Sequence, residues 1–227
     1  MKKDLIMIII SVLLSLQSKA QNLSYGVHAG VDVHSYNSVD QVKVYDQKTN
    51  LGFVAGSDLK YTLHNNIIFA SGFDITLNAG EFSSFSNYYR EQKGVYTEFP
   101  QIKTKELCVE VPIAIGYNLR LSDKFLFIPS IGIYSRYAFT SIKDRVITNI
   151  GDGKTVSDEW KCLDGYVFGI HRIEGFKHFD TGFKIKAELI FAIHYSLSAT
   201  YQRGFIEQNK QFGIKDQNMR ICLGYYF

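Results

Sequence analysis

From residue 24 onward, apolar side chains recur at every second position over runs of eleven or more residues, with small, polar or charged side chains between them. Successive side chains of a strand point to opposite faces, so a two-residue period marks strands with two unlike faces. The last run shows it best. Met219, Ile221, Leu223, Tyr225 and Phe227 share one face, and Asn218, Arg220, Cys222, Gly224 and Tyr226 share the other. Charge on one face and lipid-compatible side chains on the other is the pattern of a transmembrane β-barrel.

Alternation and turn residues predict strands at about residues 24–34, 51–63, 67–82, 104–121, 125–141, 178–189, 195–206 and 217–227. Tight links lie at His64-Asn65-Asn66, at Ser122-Asp123-Lys124 and between Ile190 and His194. The remaining links, 35–50, 83–103, 142–177 and 207–216, are longer. Short and long connections therefore alternate, which places short turns at a periplasmic rim and long loops outside. The expected fold is all-β, an eight-stranded antiparallel up-and-down transmembrane β-barrel.

Parity sorts the inward positions. Asp32, Asp58, Asp74, Glu106, Glu110 and Glu188 face Lys60, Arg120, Arg136, Lys184, Lys186 and Arg220, acids and bases in equal number. Balanced charge in a narrow lumen favours pairing, because an unpaired buried charge is costly. An eight-stranded barrel has an interior that side chains can fill. A closed, ion-paired plug is the expected state. A selective water-filled pore or ligand cup is the alternative, helped by inward glycines and alanines. Outward aromatics form two groups by height, as interfacial girdles require. Tyr25, Tyr61, Tyr117, Phe127, Tyr195, Tyr225 and Phe227 fall near the inner rim, and Tyr137, Phe139, Phe179, Phe183, Tyr201 and Phe205 near the outer one.

The first twenty residues are a separate device. Lys2 and Lys3 precede an apolar run from Leu5 to Leu16 and then Ser18-Lys19-Ala20, the layout of a cleaved signal peptide. Residues 1–20 are expected to be removed and 21–227 to form the barrel in the outer membrane. No later run is long and apolar enough for a membrane helix. Loss of Lys2, Lys3, Lys19 and Asp4 leaves the chain close to neutral, which removes any electrostatic case for nucleic acid. Tyr (15) and Phe (17) are abundant and Pro (3) is scarce, which suits strands over disorder. Cys108, Cys162 and Cys222 lack zinc or disulfide-framework spacing and read as free thiols.

Candidate chemistry is sparse. His28, Asp32 and His34 share the inward face of the first strand, but about 6.6 Å per two residues keeps them from one metal unless other strands contribute. His171, His178 and Cys162 show no ligand spacing. No catalytic residue, metal ligand or cofactor is expected. Val146 to Ile150, Gly151-Asp152-Gly153-Lys154 and Thr155 to Trp160 read as a hairpin above the membrane. Phe82, Phe85, Tyr88, Tyr89, Tyr96 and Phe99 in the second long loop suit either a protein or glycan partner or headgroup packing.

Two resemblances bear on function. His194-Tyr195-Ser196 resembles the His-x-Ser of the outer-membrane lipid A 3-O-deacylases. The following Asn-Ala of that family is Leu197-Ser198 here, and parity turns both residues inward at the periplasmic end, whereas the family's site faces lipid at the outer end. At whole-barrel scale the chain resembles the PorT-type outer-membrane β-barrels of the Bacteroidetes. Glu110 to Tyr117, Ile128 to Tyr134, Tyr195 to Gly204 and the closing Leu223-Gly224-Tyr225-Tyr226-Phe227 carry that resemblance. It implies fold and compartment and transfers no catalytic residue. The expectation is a non-enzymatic outer-membrane barrel whose long loops serve surface interaction or assembly. An accessory role in type IX protein secretion, which the resemblance implies, is one alternative, and a narrow transporter or lipid A-modifying enzyme is another. Expected partners are outer-membrane lipids, the barrel-assembly machinery through a terminal signal at Leu223, Tyr225 and Phe227, and a surface or secretion-system protein.

Overall fold

Residues 22–38, 44–84, 86–90, 94–150, 155–163, 177–209 and 213–227 are described in a computed structural model. The expected leader lies outside them, as do His171, Phe85 and the Gly151 to Lys154 turn. The barrel wall consists of β1 (Leu23–Ser38), β3 (Asn50–Thr62), β4 (Ile67–Ser84), β6 (Gly94–Tyr117), β8 (Phe125–Ile150), β10 (Phe179–Phe191), β11 (Tyr195–Gly204) and β12 (Ile214–Tyr226). Each pairs antiparallel with the next, and β12 returns to β1 from Gly26↔Tyr226 to Ser38↔Ile214. The result is a closed eight-stranded antiparallel barrel. Closure leaves no unpaired edge in the wall.

Short turns share one rim with the start of β1 and the end of β12. Asn66 takes a positive φ in the β3–β4 turn, Ala192 and Ile193 do so between β10 and β11, and the Phe227 amide donates to the Tyr25 carbonyl at 3.0 Å. At the other rim the strands outgrow the expected loops. β6 and β8 pair from Gly116↔Ser130 out to Tyr96↔Ile150. β9 (Thr155–Leu163) folds back on β8, β5 (Ser86–Arg90) on β6 and β2 (Val44–Lys48) on β4. The hairpin expected around Gly151 to Lys154 is thus present, and Cys162 lies on β9 rather than in an irregular loop.

The wall is inverted relative to a soluble domain. From Leu107 to Tyr117 on β6, from Ile67 to Ala79 on β4 and from Met219 to Phe227 on β12, every outward side chain is uncharged and most are large and apolar. Polar or charged side chains take over above, at Lys105, Glu81, Arg203, Gln217 and Lys215. The belt is nine to thirteen residues tall on these strands, enough for tilted strands to cross a bilayer's hydrocarbon, which takes about nine to eleven. Both aromatic groups form. Tyr25 stacks on Phe227 at 4.6 Å, and Tyr225 touches Phe227 at 5.2 Å and Tyr195 at 5.5 Å along the lower rim. Phe183 contacts Tyr201 and Phe205, and Tyr137 contacts Phe139, near the upper rim.

Candidate functional site: the lumen

Side chains of Ile68, Ile128, Ile190 and Tyr226 form an apolar floor near the rim that carries the short turns, with Ala70 and Leu126 against it. Below it opens a vestibule of about 290 Å³ lined by Lys60, Arg120, Asp123 and Lys124 among others. Above the floor three layers of charge fill the barrel.

In the lowest layer Lys60 pairs with Glu188, and Lys186 reaches Asp58 at 3.2 Å and Glu188 at 3.5 Å. The Tyr226 hydroxyl donates to Glu188 at 2.8 Å, while the Lys60 ammonium lies 4.1 Å from the centre of the Tyr226 ring. His28 links this layer to the next, with Nδ1 2.8 Å from Asp58 and Nε2 3.2 Å from Asp74. Two carboxylates at the two ring nitrogens are both satisfied only by an imidazolium, which donates from each.

Asp74 and Glu110 sit directly opposite each other on β4 and β6, like charges that would repel if left alone. Arg220, arriving from β12 across the lumen, donates to Asp74 at 3.2 Å and to Glu110 at 2.9 and 3.2 Å, and lies 3.4 Å from Asp32. Lys184 adds 3.2 Å contacts to Asp74 and Glu110, and the Gln202 amide donates to Glu110 at 2.5 Å. One guanidinium thereby serves three carboxylates, a task its five donors permit.

The top layer joins Arg136 to Asp216 and, at 3.5 Å, to Asp180. Tyr134 donates to Asp180 at 3.0 Å, Tyr36 donates to Glu106 at 2.7 Å, and His34 Nε2 stands 3.2 Å from Asp216. Inward glycines seat these groups rather than opening a passage. A Cβ on Gly80 would strike the Tyr36 ring, on Gly182 the Tyr134 hydroxyl, and on Gly204 the Asp180 carboxylate. A void of about 30 Å³ beside Asp58, Lys186 and Ala114 has room for one water.

Of the side chains assigned to the lumen from sequence, Asp32, Asp58, Lys60, Asp74, Glu106, Glu110, Arg136, Lys184, Lys186, Glu188 and Arg220 all lie inside. Arg120 does not. Asn118 leaves the ladder, its amide donating to the Asn66 carbonyl at 2.9 Å, and the residues beyond it form the short, fully exposed β7 (Leu119–Ser122) at the vestibule. Asp180 and Asp216 enter the network unforeseen. Both have the right parity: Asp180 precedes Lys184 by four residues, and Asp216 precedes Asn218 by two, just before the expected strand start. With two acids gained and one base lost, carboxylates outnumber lysines and arginines among the described residues of the lumen.

Cys108 and Cys222 are buried free thiols, and the Cys162 side chain is outside the described set. His194 is exposed in its turn, stacked on Tyr225 with Nδ1 2.8 Å from the Tyr226 carbonyl, whereas Ser196 is buried on the inner face. The two do not converge. His178 stacks on Tyr137 at the outer rim.

No protein-family model matches the chain, and no curated protein does. Solved structures with a similar outline include Ail, the attachment invasion locus protein of Yersinia pestis, at 11% identity and TM-score 0.39 over 91% of this chain and 99% of that one. Neisserial surface protein A is similar at 11% identity and TM-score 0.36 over 89% and 97%. LpxR from Salmonella typhimurium shows 8% identity and TM-score 0.27 over 91% and 100%. Likeness at these values reaches no further than a general outline, and the barrel rests on its own strand pairing.

Proposed function

We propose that this protein is an integral outer-membrane barrel that is closed to solutes and acts through the strands it raises above the membrane. The observation that carries the reading is the uncharged apolar belt around a closed ring. Leu223, Ile133 and Phe53 are 66%, 55% and 68% exposed, an arrangement that water would oppose and lipid stabilises. Inside the same ring, arginine, lysine and tyrosine side chains fill the space a solute would need. What remains for interaction is the outer structure. β6 and β8 stay paired about ten residues beyond Leu107, or ~33 Å along the strand, and the β8–β9 hairpin extends that wall. Such a platform suits a surface-binding or assembly role without catalysis.

The test is electrophoretic mobility of the mature chain refolded into detergent, unboiled against boiled, followed by planar-bilayer recording. A heat-dependent shift, protease cleavage confined to the outer hairpins and absence of steady conductance are expected. A chain soluble without detergent would overturn the membrane reading, and a stable conductance the closed lumen. A second reading, accessory function in protein secretion, draws on the PorT-type resemblance, whose Glu110 to Tyr117 and Ile128 to Tyr134 segments face each other as β6 and β8. Loss of protein export after deletion of the gene, with envelope integrity kept, would favour it.

A further inference from the structure

We propose that His34, Glu106 and Asp216 form a binding site for a divalent first-row metal ion, with Zn²⁺ as the probe, at the outer end of the lumen. The three residues come from β1, β6 and β12, and one ligand atom from each lies within 4.8 Å of the others. All are buried. His34 alone could not have signalled the site, since its partners are supplied by strands remote in sequence.

Each of the three is held by its other polar atom. His34 Nδ1 lies 3.0 Å from the Ala79 carbonyl and must donate its hydrogen there, which leaves the Nε2 lone pair pointing away from that contact. Tyr36 donates to Glu106 Oε1 at 2.7 Å, and its ring sits edge-on to His34 at 4.8 Å. Arg136 engages Asp216 through Oδ2, leaving Oδ1 free to turn toward His34. Outer partners that fix tautomer and orientation in this way are the usual support of a metal ligand set.

The free atoms then face each other badly unless something positive lies among them. Nε2 of a neutral His34 and Oδ1 of Asp216 are both acceptors, 3.2 Å apart. Two ligands bound about 2.1 Å from one tetrahedral ion stand ~3.4 Å apart, so this separation is that of a ligand pair. Glu106 completes the set, with a ligand oxygen within 4.8 Å of the other two ligand atoms; among the described residues its Oε2 otherwise meets only a 3.8 Å contact from the Cys108 thiol. One imidazole with two carboxylates suits zinc or another divalent ion of that row.

The charge of the layer points the same way. Asp180, Asp216 and Glu106 have Arg136 among them, and Asp32, two residues before His34 on the same face, keeps a buried Oδ1 without a hydrogen-bond partner. A divalent ion would relieve the excess of carboxylate over lysine and arginine among the described residues of this layer. Because the site is closed in the finished barrel, the ion enters as the strands close, before the top layer packs.

The experiment refolds the mature full chain in detergent with Zn²⁺, removes free ion, and measures zinc per barrel by elemental analysis, with heat-dependent mobility as the check on folding. About one zinc per folded barrel is expected, falling to background in His34→Gln and Asp216→Asn barrels that still show the mobility shift. Tyr36→Phe, which removes the hydroxyl that holds Glu106 and also contacts Thr104 at 2.6 Å, should weaken binding about 10-fold. If the ligand variants fail to fold, Co²⁺ in the unaltered barrel decides, since a visible d–d spectrum of a low-symmetry site is expected. Background zinc in the unaltered folded barrel, full retention in the folded variants, or a Co²⁺ spectrum identical to the aqueous ion would each overturn the proposal. In the first case an imidazolium proton bridges His34 and Asp216 instead.

Discussion

Arg220 and Ile221 are consecutive residues of β12, yet one is 2% exposed among three carboxylates and the other is 56% exposed on the outer wall. The same contrast recurs along every barrel strand. In a water-soluble sandwich the exposed face would carry the charge and the buried face the aliphatic groups. Here the hydrophobic solvent is outside, so the rules for tolerated substitution exchange faces. The inner face obeys electrostatics in a confined polar space, and the outer face obeys transfer into hydrocarbon.

The largest effect should come from the inner face. Arg220→Met leaves Asp32, Asp74 and Glu110 crowded without their shared cation, and breaking such buried pairing costs about 3–5 kcal/mol. A collapse of the urea midpoint, or loss of the heat-shifted band, is expected. An unchanged midpoint would mean that water already solvates these carboxylates, and the contrast between the faces would fail on the inside.

The outer face gives the next effect. Ile133→Arg is exposed by area and would be harmless in water, but near the middle of the belt it should cost about 2–4 kcal/mol in a bilayer. Ser141→Arg, above the belt on the same strand, should change the unfolding midpoint by only a small fraction of that. Equal tolerance at both positions would sink the lipid assignment.

A smaller change sharpens the comparison at the rim, where neither solvent dominates. Ile193 holds φ at 72° in the β10–β11 turn, a conformation that β-branched side chains resist. Ile193→Gly should raise stability by about 1 kcal/mol, read as a higher unfolding midpoint. A decrease would show that the exposed Ile193 side chain anchors the rim in the interface.

The smallest effect belongs to the wall above the belt. Glu81 accepts from the Lys48 ammonium at 2.6 Å and lies 3.6 Å from Lys103. The Lys48 hydrogen bond, with Lys103 nearby, holds its carboxyl below the usual range. A carboxyl depressed in the folded state adds stability above its unfolded value of about 4.3, and that contribution is lost as pH falls through the folded value. Glu81→Gln should cost under about 1 kcal/mol at neutral pH, and less in high salt. Unlike the lumen pairs, this cluster should respond visibly to added salt in chemical denaturation.

Much of this was legible in the chain. The period of two marks each strand, and parity assigns Lys184, Lys186 and Glu188 to the lumen before any coordinate is known. Asp180 and Asp216 obey the same parity. Asp216 lies one residue before the expected strand start, where polar residues continue the pattern into solvent, whereas Asp180 falls inside the expected strand 178–189 and its parity alone would have found it. Arg120 failed for the opposite reason. Its parity is correct, but Asn118 breaks the ladder and drops it below the floor.

Alternation along the chain determines which solvent each side chain meets, because that choice follows from backbone geometry within one strand. Which side chains meet each other is a property of the closed ring. Closure fixes the stagger between strands, sets Arg220 of β12 against Asp74 and Glu110 of β4 and β6, and delivers Asp216 to His34 across 182 positions. No local period encodes such contacts, since they depend on where eight strands settle in height together.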